Sequence, residues 1–275
     1  MPSAEELLSQ YYNNDGWEEK DGITQDAIKD EDLRNCAKEY ISKCRLRVLK
    51  YIPIKGENFL DLGSGPIQYP EYLAYSKNFK KRFCLDLSHK ALEVAKSKLG
   101  EHGEYLHGSF FNIELPKESF DCAITLHCIY HMDFNNQETA IRKLLSLLKP
   151  GVPLIVVYSN PYSFEQLIFK PIKNILKIFF ILLDKINSLI FKKRKYRKTK
   201  FYFKPHSLYW WNRFSDESIV KINPWRTFSA RMQKIAFPNN YIGRKMFKIL
   251  FNLEEKFPKF FVFFGTYPII TLIKK

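Results

Sequence analysis

Residues 59–65 read Phe59-Leu60-Asp61-Leu62-Gly63-Ser64-Gly65, and 21 positions after the last glycine stands Asp86, in Phe83-Cys84-Leu85-Asp86-Leu87. The apolar run from Asn58 to Leu62 is short and ends in glycine, the pattern of a parallel strand buried on both faces. Gly63 and Gly65 carry no Cβ, so the chain can turn sharply there and approach a ligand closely. The interval to Asp86 holds one helix and a returning strand, and an acid at the end of that second strand meets the hydroxyls of a ribose. A dinucleotide site uses the same logic with G-x-G-x-x-G. Here the third glycine position is Gln68, and Pro66 lacks an N–H that a pyrophosphate would use. The stretch therefore favours a nucleoside over a pyrophosphate.

Asp61-Leu62-Gly63-Ser64-Gly65-Pro66-Ile67 resembles the first motif of class I S-adenosylmethionine-dependent methyltransferases, with Ile67 in the place of the usual third glycine. Further motifs follow in the family's order. The run from Leu85 to Ala95 is similar to the second, with Ser88 placed to cap the next helix. His107-Gly108-Ser109-Phe110 stands where the family often has a Gly-Asp pair that meets the adenine amine. The run from Ser119 to His127 is similar to the fourth strand, and Leu147-Leu148-Lys149-Pro150-Gly151 with Pro153 to Tyr158 is similar to the fifth. The ordered motifs span residues 45–160, and the whole chain, with Tyr11-Tyr12 and Gly16-Trp17 near the start, Ser64-Gly65-Pro66-Ile67-Gln68-Tyr69-Pro70-Glu71-Tyr72 in the first loop and Leu126-His127-Cys128-Ile129-Tyr130-His131 later, resembles the small-molecule, ubiquinone-biosynthesis-like branch of this family.

The resemblance implies an α/β, Rossmann-like fold with a seven-stranded, mostly parallel sheet and an antiparallel last strand. It adds an N-terminal helical cap over residues 1–52 and a cofactor-binding methyltransferase domain over 53–275, with inserted segments at 163–206 and 229–262. It implies S-adenosylmethionine as cofactor, contacted by Asp61, Gly63, Ser64, Gly65, Asp86, Leu87, Ser109, Phe110 and His127.

A chain of 275 residues, 45% hydrophobic and 16% aromatic, can bury a large core. Cys36, Cys44, Cys84, Cys122 and Cys128 are scattered, without metal-ligand spacing, and read as reduced core thiols with no metal site. The N-terminus lacks a basic, apolar signal pattern, so the expectation is a cytoplasmic protein.

Helices are expected over 4–12 and 31–52. In the second, Leu33, Ala37, Tyr40, Ile41, Cys44, Val48 and Tyr51 recur at helical spacing. Between them an aromatic loop holds Tyr12 and Trp17, which either touch cofactor and substrate as a lid or pin the loop to the core. Farther on, 207–214 reads as a crossover helix, 219–222 with Trp225 as a sixth strand, 241–257 as a helix and 267–273 as a seventh strand. The two inserted segments are expected to roof the substrate site.

Net charge is +15, and residues 166–200 carry eleven Lys or Arg against the single acid Asp184. Residues 172–191 have a broad apolar face, and Lys173, Lys177, Asp184 and Lys185 interrupt any transmembrane span. Three readings stay open: an interfacial helix on an anionic membrane, a nucleic-acid contact, or a helix packed on its own domain with a solvated basic run.

Methyl transfer needs alignment of an acceptor with the methyl group and a base only where the acceptor must lose a proton. His131 and Tyr130, after the fourth strand, are the catalytic candidates on the acceptor side, and His127 lies on the cofactor side. These histidines equally suit loop-holding roles. The leading expectation is methyl transfer to a small-molecule, glycan or lipid-linked acceptor, at a membrane surface under the interfacial reading. The alternatives are an RNA methyltransferase using 192–200, and a non-catalytic cofactor-binding or membrane-docking module.

Overall fold

A computed structural model describes residues 3–20, 23–168 and 202–275. Its centre is a seven-stranded sheet of β1 (Gly56–Leu62), β2 (Phe79–Asp86), β3 (Gly103–His107), β4 (Cys122–Leu126), β5 (Pro153–Val157), β6 (Ser218–Arg226) and β7 (Tyr267–Lys274). The order is β3-β2-β1-β4-β5-β7-β6; the first five strands run parallel, and β7 lies antiparallel to β5 and β6. This is the Rossmann-like sheet expected from the sequence.

Burial of both sheet faces explains the unbroken apolar strands. After β1 and β2 come α4 (Pro70–Ala74) and α5 (His89–Leu99). Leu60 and Leu62 face a core built with α6 (Gln137–Leu147) and the 3-10 helix Leu208–Phe214, whose Trp210, Trp211 and Phe214 are buried. Phe59 packs on the other face with Val48, Tyr75 and Trp225. Pro268 falls at the start of β7, opposite Pro224, where β6 carries an irregularity. There the missing N–H costs little.

The region before the sheet departs from the expected single helix over 31–52. α1 (Ala4–Tyr11) opens with a Ser3–Glu6 capping box, a π turn spans Tyr12–Gly16, and Thr24 caps α2 (Gln25–Asp30). α3 covers only Lys38–Leu46, followed by a 3-10 turn at Arg47–Lys50. Asp32 breaks the longer helix. Its buried carboxylate accepts from the Arg34 backbone N–H at 3.3 Å and from the Arg34 guanidinium at 2.8 and 2.7 Å. Such local side-chain bonds compete with helical ones. The segment 207–214 is likewise a 3-10 helix and not an α-helix. The apolar stretch 172–191 and the basic run 192–200 lie outside the described residues.

Beyond β6 come α7 (Ala230–Ala236), α8 (Tyr241–Lys256) and α9 (Pro258–Phe264). α3 shares a core with α8, in which Tyr40 stacks on Phe247 at 5.0 Å. The node between them is Glu254, fully buried, which accepts from Tyr40 Oη and Arg47 Nη1, each at 2.7 Å, and from the Thr227 N–H at 3.1 Å. Removing one partner of a buried ion pair strands the other charge. Glu254→Ala is therefore expected to destabilise the fold by about 3–5 kcal/mol in urea unfolding, and a loss below about 1 kcal/mol would contradict this node.

Candidate functional site

At the carboxyl ends of β1, β2 and β4 lies a cavity of about 180 Å³. Open α/β sheets bind ligands at this edge. Its floor is the turn after β1, where Gly63 and Gly65 have φ of 71° and 55°. A Cβ on Gly63 would stand 2.7 Å from Cys128 Sγ, and one on Gly65 would stand 3.2 Å from the Trp17 indole. Ile67, in the usual glycine position, also adopts a left-handed φ of 48° and is buried. The Lys98 ammonium holds the strained loop, donating to the Pro66 and Ile67 carbonyls at 2.9 and 3.0 Å.

Asp86 closes the wall at the end of β2. Its Oδ2 accepts from the Gly65 N–H and its Oδ1 from the Ser88 N–H, both at 2.8 Å. Each carboxylate oxygen keeps a further acceptor site for an incoming hydroxyl. Burial pushes this carboxyl up to about 6, against the opposing pull of the two N–H donors. Leu87, Gly108 and Phe110 continue the wall. Lys143 anchors the loop behind Phe110 by donating to the Phe110 and Ile113 carbonyls at 2.6 and 2.8 Å.

The roof comes from the N-terminal segment: Glu5, Leu8, Tyr12, Trp17 and Asp26 line the cavity, and no described residue of 163–206 or 229–262 does. Roofing by those two inserts is thus not what the described residues show. Tyr12 stacks on Trp17 at 4.8 Å. Ser9 Oγ donates to the Leu87 carbonyl at 3.2 Å, the Ser88 hydroxyl donates to Asn13 Oδ1 at 2.7 Å, and Gln68 bonds Thr24. The roof is sewn to the loops after β1 and β2.

On the β4 side, His127 and His131 both reach the cavity. His131 Nδ1 lies 2.8 Å from the Tyr202 carbonyl, which only accepts, so Nδ1 carries the proton and Nε2 the lone pair. Burial lowers the pKa of this imidazole and favours its neutral, basic form. His127 is held well below its ordinary value by burial and by the Arg226 charge. Its Nδ1 pairs with Tyr130 Oη at 2.8 Å.

Of the residues expected from sequence, Asp61, Gly63, Ser64, Gly65, Asp86, Leu87, Phe110, His127, His131, Tyr12 and Trp17 come together on one cavity. Ser109 and Tyr130 are not on its wall. The Ser109 hydroxyl is taken by Glu5 at 2.9 Å, and Tyr130 sits behind His127, packed against Tyr158 and Phe203. Sequence reasoning missed Asp26, Glu5, Gln68 and Tyr72. Asp26 follows directly on Thr24-Gln25, a helix start that a capping threonine signals. Among the described residues, no group of three or more His, Cys, Asp or Glu could hold a metal ion.

Residues 60–156 match a family described as "Methyltransferase domain". An "Uncharacterized methyltransferase" of Anoxybacillus flavithermus is 32% identical over 79 residues, which are 28% of this chain and 37% of the relative's length. The aligned stretch thus spans little more than a third of that curated relative. Among solved structures, a DhpI–SAM–HEP complex superposes with a TM-score of 0.58 at 12% identity, over 99% of this chain and 98% of that one. Geranyl diphosphate C-methyltransferase from Streptomyces coelicolor A3(2), in complex with Mg2+, geranyl diphosphate and S-adenosyl-L-homocysteine, superposes with a TM-score of 0.57 at 12% identity, over 100% and 98%. At that identity the likeness is one of fold.

Asp26 gives the cavity a titration of its own. Burial first and the neighbouring Asp30 second push its carboxyl up to about 7, against the attraction of Lys29. The folded state then binds more protons than the unfolded one between the ordinary carboxyl value of 3.8 and about 7, so stability falls as pH rises through that window. Asp26→Asn is expected to flatten this fall: the drop in melting temperature from pH 5 to pH 8 becomes smaller than in the parent. An unchanged drop would show that Asp26 titrates as it does in water.

Proposed function

We propose that the chain, whose residues 60–156 form a class I S-adenosylmethionine-dependent methyltransferase domain, is an enzyme that transfers a methyl group to a small-molecule acceptor. The observation that carries this reading is the charge of the cavity. Glu5, Asp26, Asp61 and Asp86 line it, and no Lys or Arg does among the described residues, although the chain as a whole carries +15. Arg82 neutralises Asp61 from behind the wall and Lys29 pulls on Asp26, but with no cation on the wall itself the remaining acids favour a ligand of net positive charge over a pyrophosphate or an RNA backbone.

S-adenosylmethionine is such a ligand and supplies, when bound, an electrophilic methyl group on a sulfonium centre. Asp86 is the residue to hold the ribose hydroxyls, with its carboxylate already braced by Gly65 and Ser88. The turn from Gly63 to Gly65 permits close backbone approach, and Leu87 with Phe110 offers flat apolar walls to the adenine. Glu5, Leu8 and Trp17 exclude water from above, which strengthens every charge interaction inside.

On the acceptor side His131 presents a neutral imidazole with its lone pair on Nε2, suited to take a proton from an acceptor oxygen or nitrogen. Tyr130 acts through His127, as a positioning residue. Asp26, Tyr12 and Tyr72 surround the remaining space with one acid and two aromatic rings, which suits a neutral or cationic acceptor. Glycan and lipid-linked acceptors fit within this description.

Titration calorimetry with S-adenosylmethionine is expected to show one site per chain in the parent and at least a tenfold weaker one in Asp86→Asn. Undiminished binding would sink the cofactor assignment. Incubation with methyl-tritiated cofactor and a panel of small acceptors is the second arm. There, His131→Ala should lower turnover by about 10²–10⁴ while cofactor affinity holds; equal loss of affinity would make His131 a structural residue.

A further inference from the structure

We infer that α8 and α9 form a docking face for an anionic lipid surface. One flank of α8, next to its buried face, carries Ile242, Met246, Ile249, Leu253 and, at its end, Phe257, all exposed. At about 100° per residue these five fall within about 80° of one another. They are not the face that packs on the protein: Gly243, Phe247, Leu250 and Glu254 are the buried positions of the same helix. Phe260 and Phe263 on α9 extend the exposed apolar surface, at 56% and 67% exposure. Single exposed apolar residues need no explanation, but a stripe running along two consecutive helices does.

Charge identifies the occupant. Both acids of α8 are already satisfied by the protein. Glu254 is buried under Tyr40, Arg47 and Thr227, and Glu255 is paired with Arg47 and Lys50. The cations are not neutralised in this way. Arg244, Lys245, Lys248, Lys256 and Lys259 make no ion pair with a described residue. On the helical wheel Lys245, Lys248 and Lys256 form a band beside the apolar stripe, on the side away from the core. Glu39 on α3, which feels the charges of Lys248 and Arg244, is held by Lys43 at 2.6 Å. An apolar stripe edged by unpaired lysines is the chemistry of an interfacial helix on anionic lipid.

Two other occupants suit the face less well. A second copy of the chain would meet it across a two-fold axis and bring the lysine band against itself. Residues 169–201 of the same chain carry eleven Lys or Arg against Asp184, the same sign as the band. The face also sits at the site's end of the sheet. α9 leads into β7, whose first residue, Tyr267, packs on His127 in the cavity wall at 5.1 Å. Docking there holds the cavity near the headgroups, whichever acceptor is methylated.

Co-sedimentation of the full chain with phosphatidylcholine vesicles, with and without phosphatidylglycerol, tests this surface without reference to methyl transfer. The chain is expected to pellet with the anionic vesicles and far less with the neutral ones. Lys245→Glu with Lys248→Glu should lower the partition coefficient at least about twentyfold. Ile249→Ser with Phe263→Ser should abolish pelleting, with melting temperature and cofactor affinity kept in both variants, since all four residues are exposed. Failure of the parent to pellet overturns the inference. So does full pelleting by both variants with loss on neutralising Lys192 to Lys195, which assigns the lipid contact to that run. A concentration-dependent dimer abolished by Ile249→Ser with Phe263→Ser would make the occupant a second copy.

Discussion

Asp61 and Arg82 bury opposite charges directly beneath the glycine turn, and the site's geometry hangs on that pair. Asp61 is 3% and Arg82 1% exposed, and the guanidinium also donates to the Tyr72 carbonyl at 2.6 Å. A buried ion pair adds little net stability compared with an apolar pair, but separating its partners costs several kcal/mol. It therefore acts on register. Slipping β2 by one residue against β1 turns Arg82 to the opposite face and strands both charges. With Asp61 opposite Cys84, the ends of the strands are level. The Gly63 N–H then meets the Leu85 carbonyl at 2.8 Å, and Asp86 reaches the Gly65 N–H.

From this register follows a site whose charge opposes that of the chain. The excess of Lys and Arg invites a search for an anionic ligand, yet the cavity wall is acidic. Charge acts locally because water and salt screen it beyond about 10 Å. The cations of α8 point outward, and those near the site, Arg45 and Arg226, are bound by Glu31 behind the wall. Bulk charge here describes the outer surface and not the chemistry of the pocket.

What could be read from the chain follows the same division. Strands β1, β2, β4 and β5, the turn at Gly63 and Gly65, and Asp86 are local patterns set by short-range sterics, and they stand where spacing placed them. Residues that reach the cavity from far along the chain were not legible. Asp26 lies 60 positions before Asp86, and only the closure of the N-terminal segment over the turn brings it to the wall. Ser109 sits at the expected position, but Glu5, more than a hundred residues away, takes its hydroxyl. Helical periodicity from Leu33 to Tyr51 was real for the buried face of α3. The Asp32–Arg34 turn broke the helix because a carboxylate satisfied by guanidinium and backbone outcompetes helical hydrogen bonding.

Backbone strain points to the same loops. Of the three non-glycine residues with left-handed φ among the described residues, Ile67 belongs to the loop after β1 and His127 to the cavity wall after β4. A branched or bulky residue keeps such a conformation only where its surroundings over-determine it. Ile67 is packed with Leu92 and Ala95, and its carbonyl is fixed by Lys98. His127 is held by its N–H to the Val157 carbonyl at 3.0 Å, by Tyr130 at Nδ1, and by the Trp225 and Tyr267 rings. An imidazole so constrained, and kept neutral by burial, does not reorganise when charge moves beside it. Tyr130, away from the cavity wall, fixes the ring that stands there.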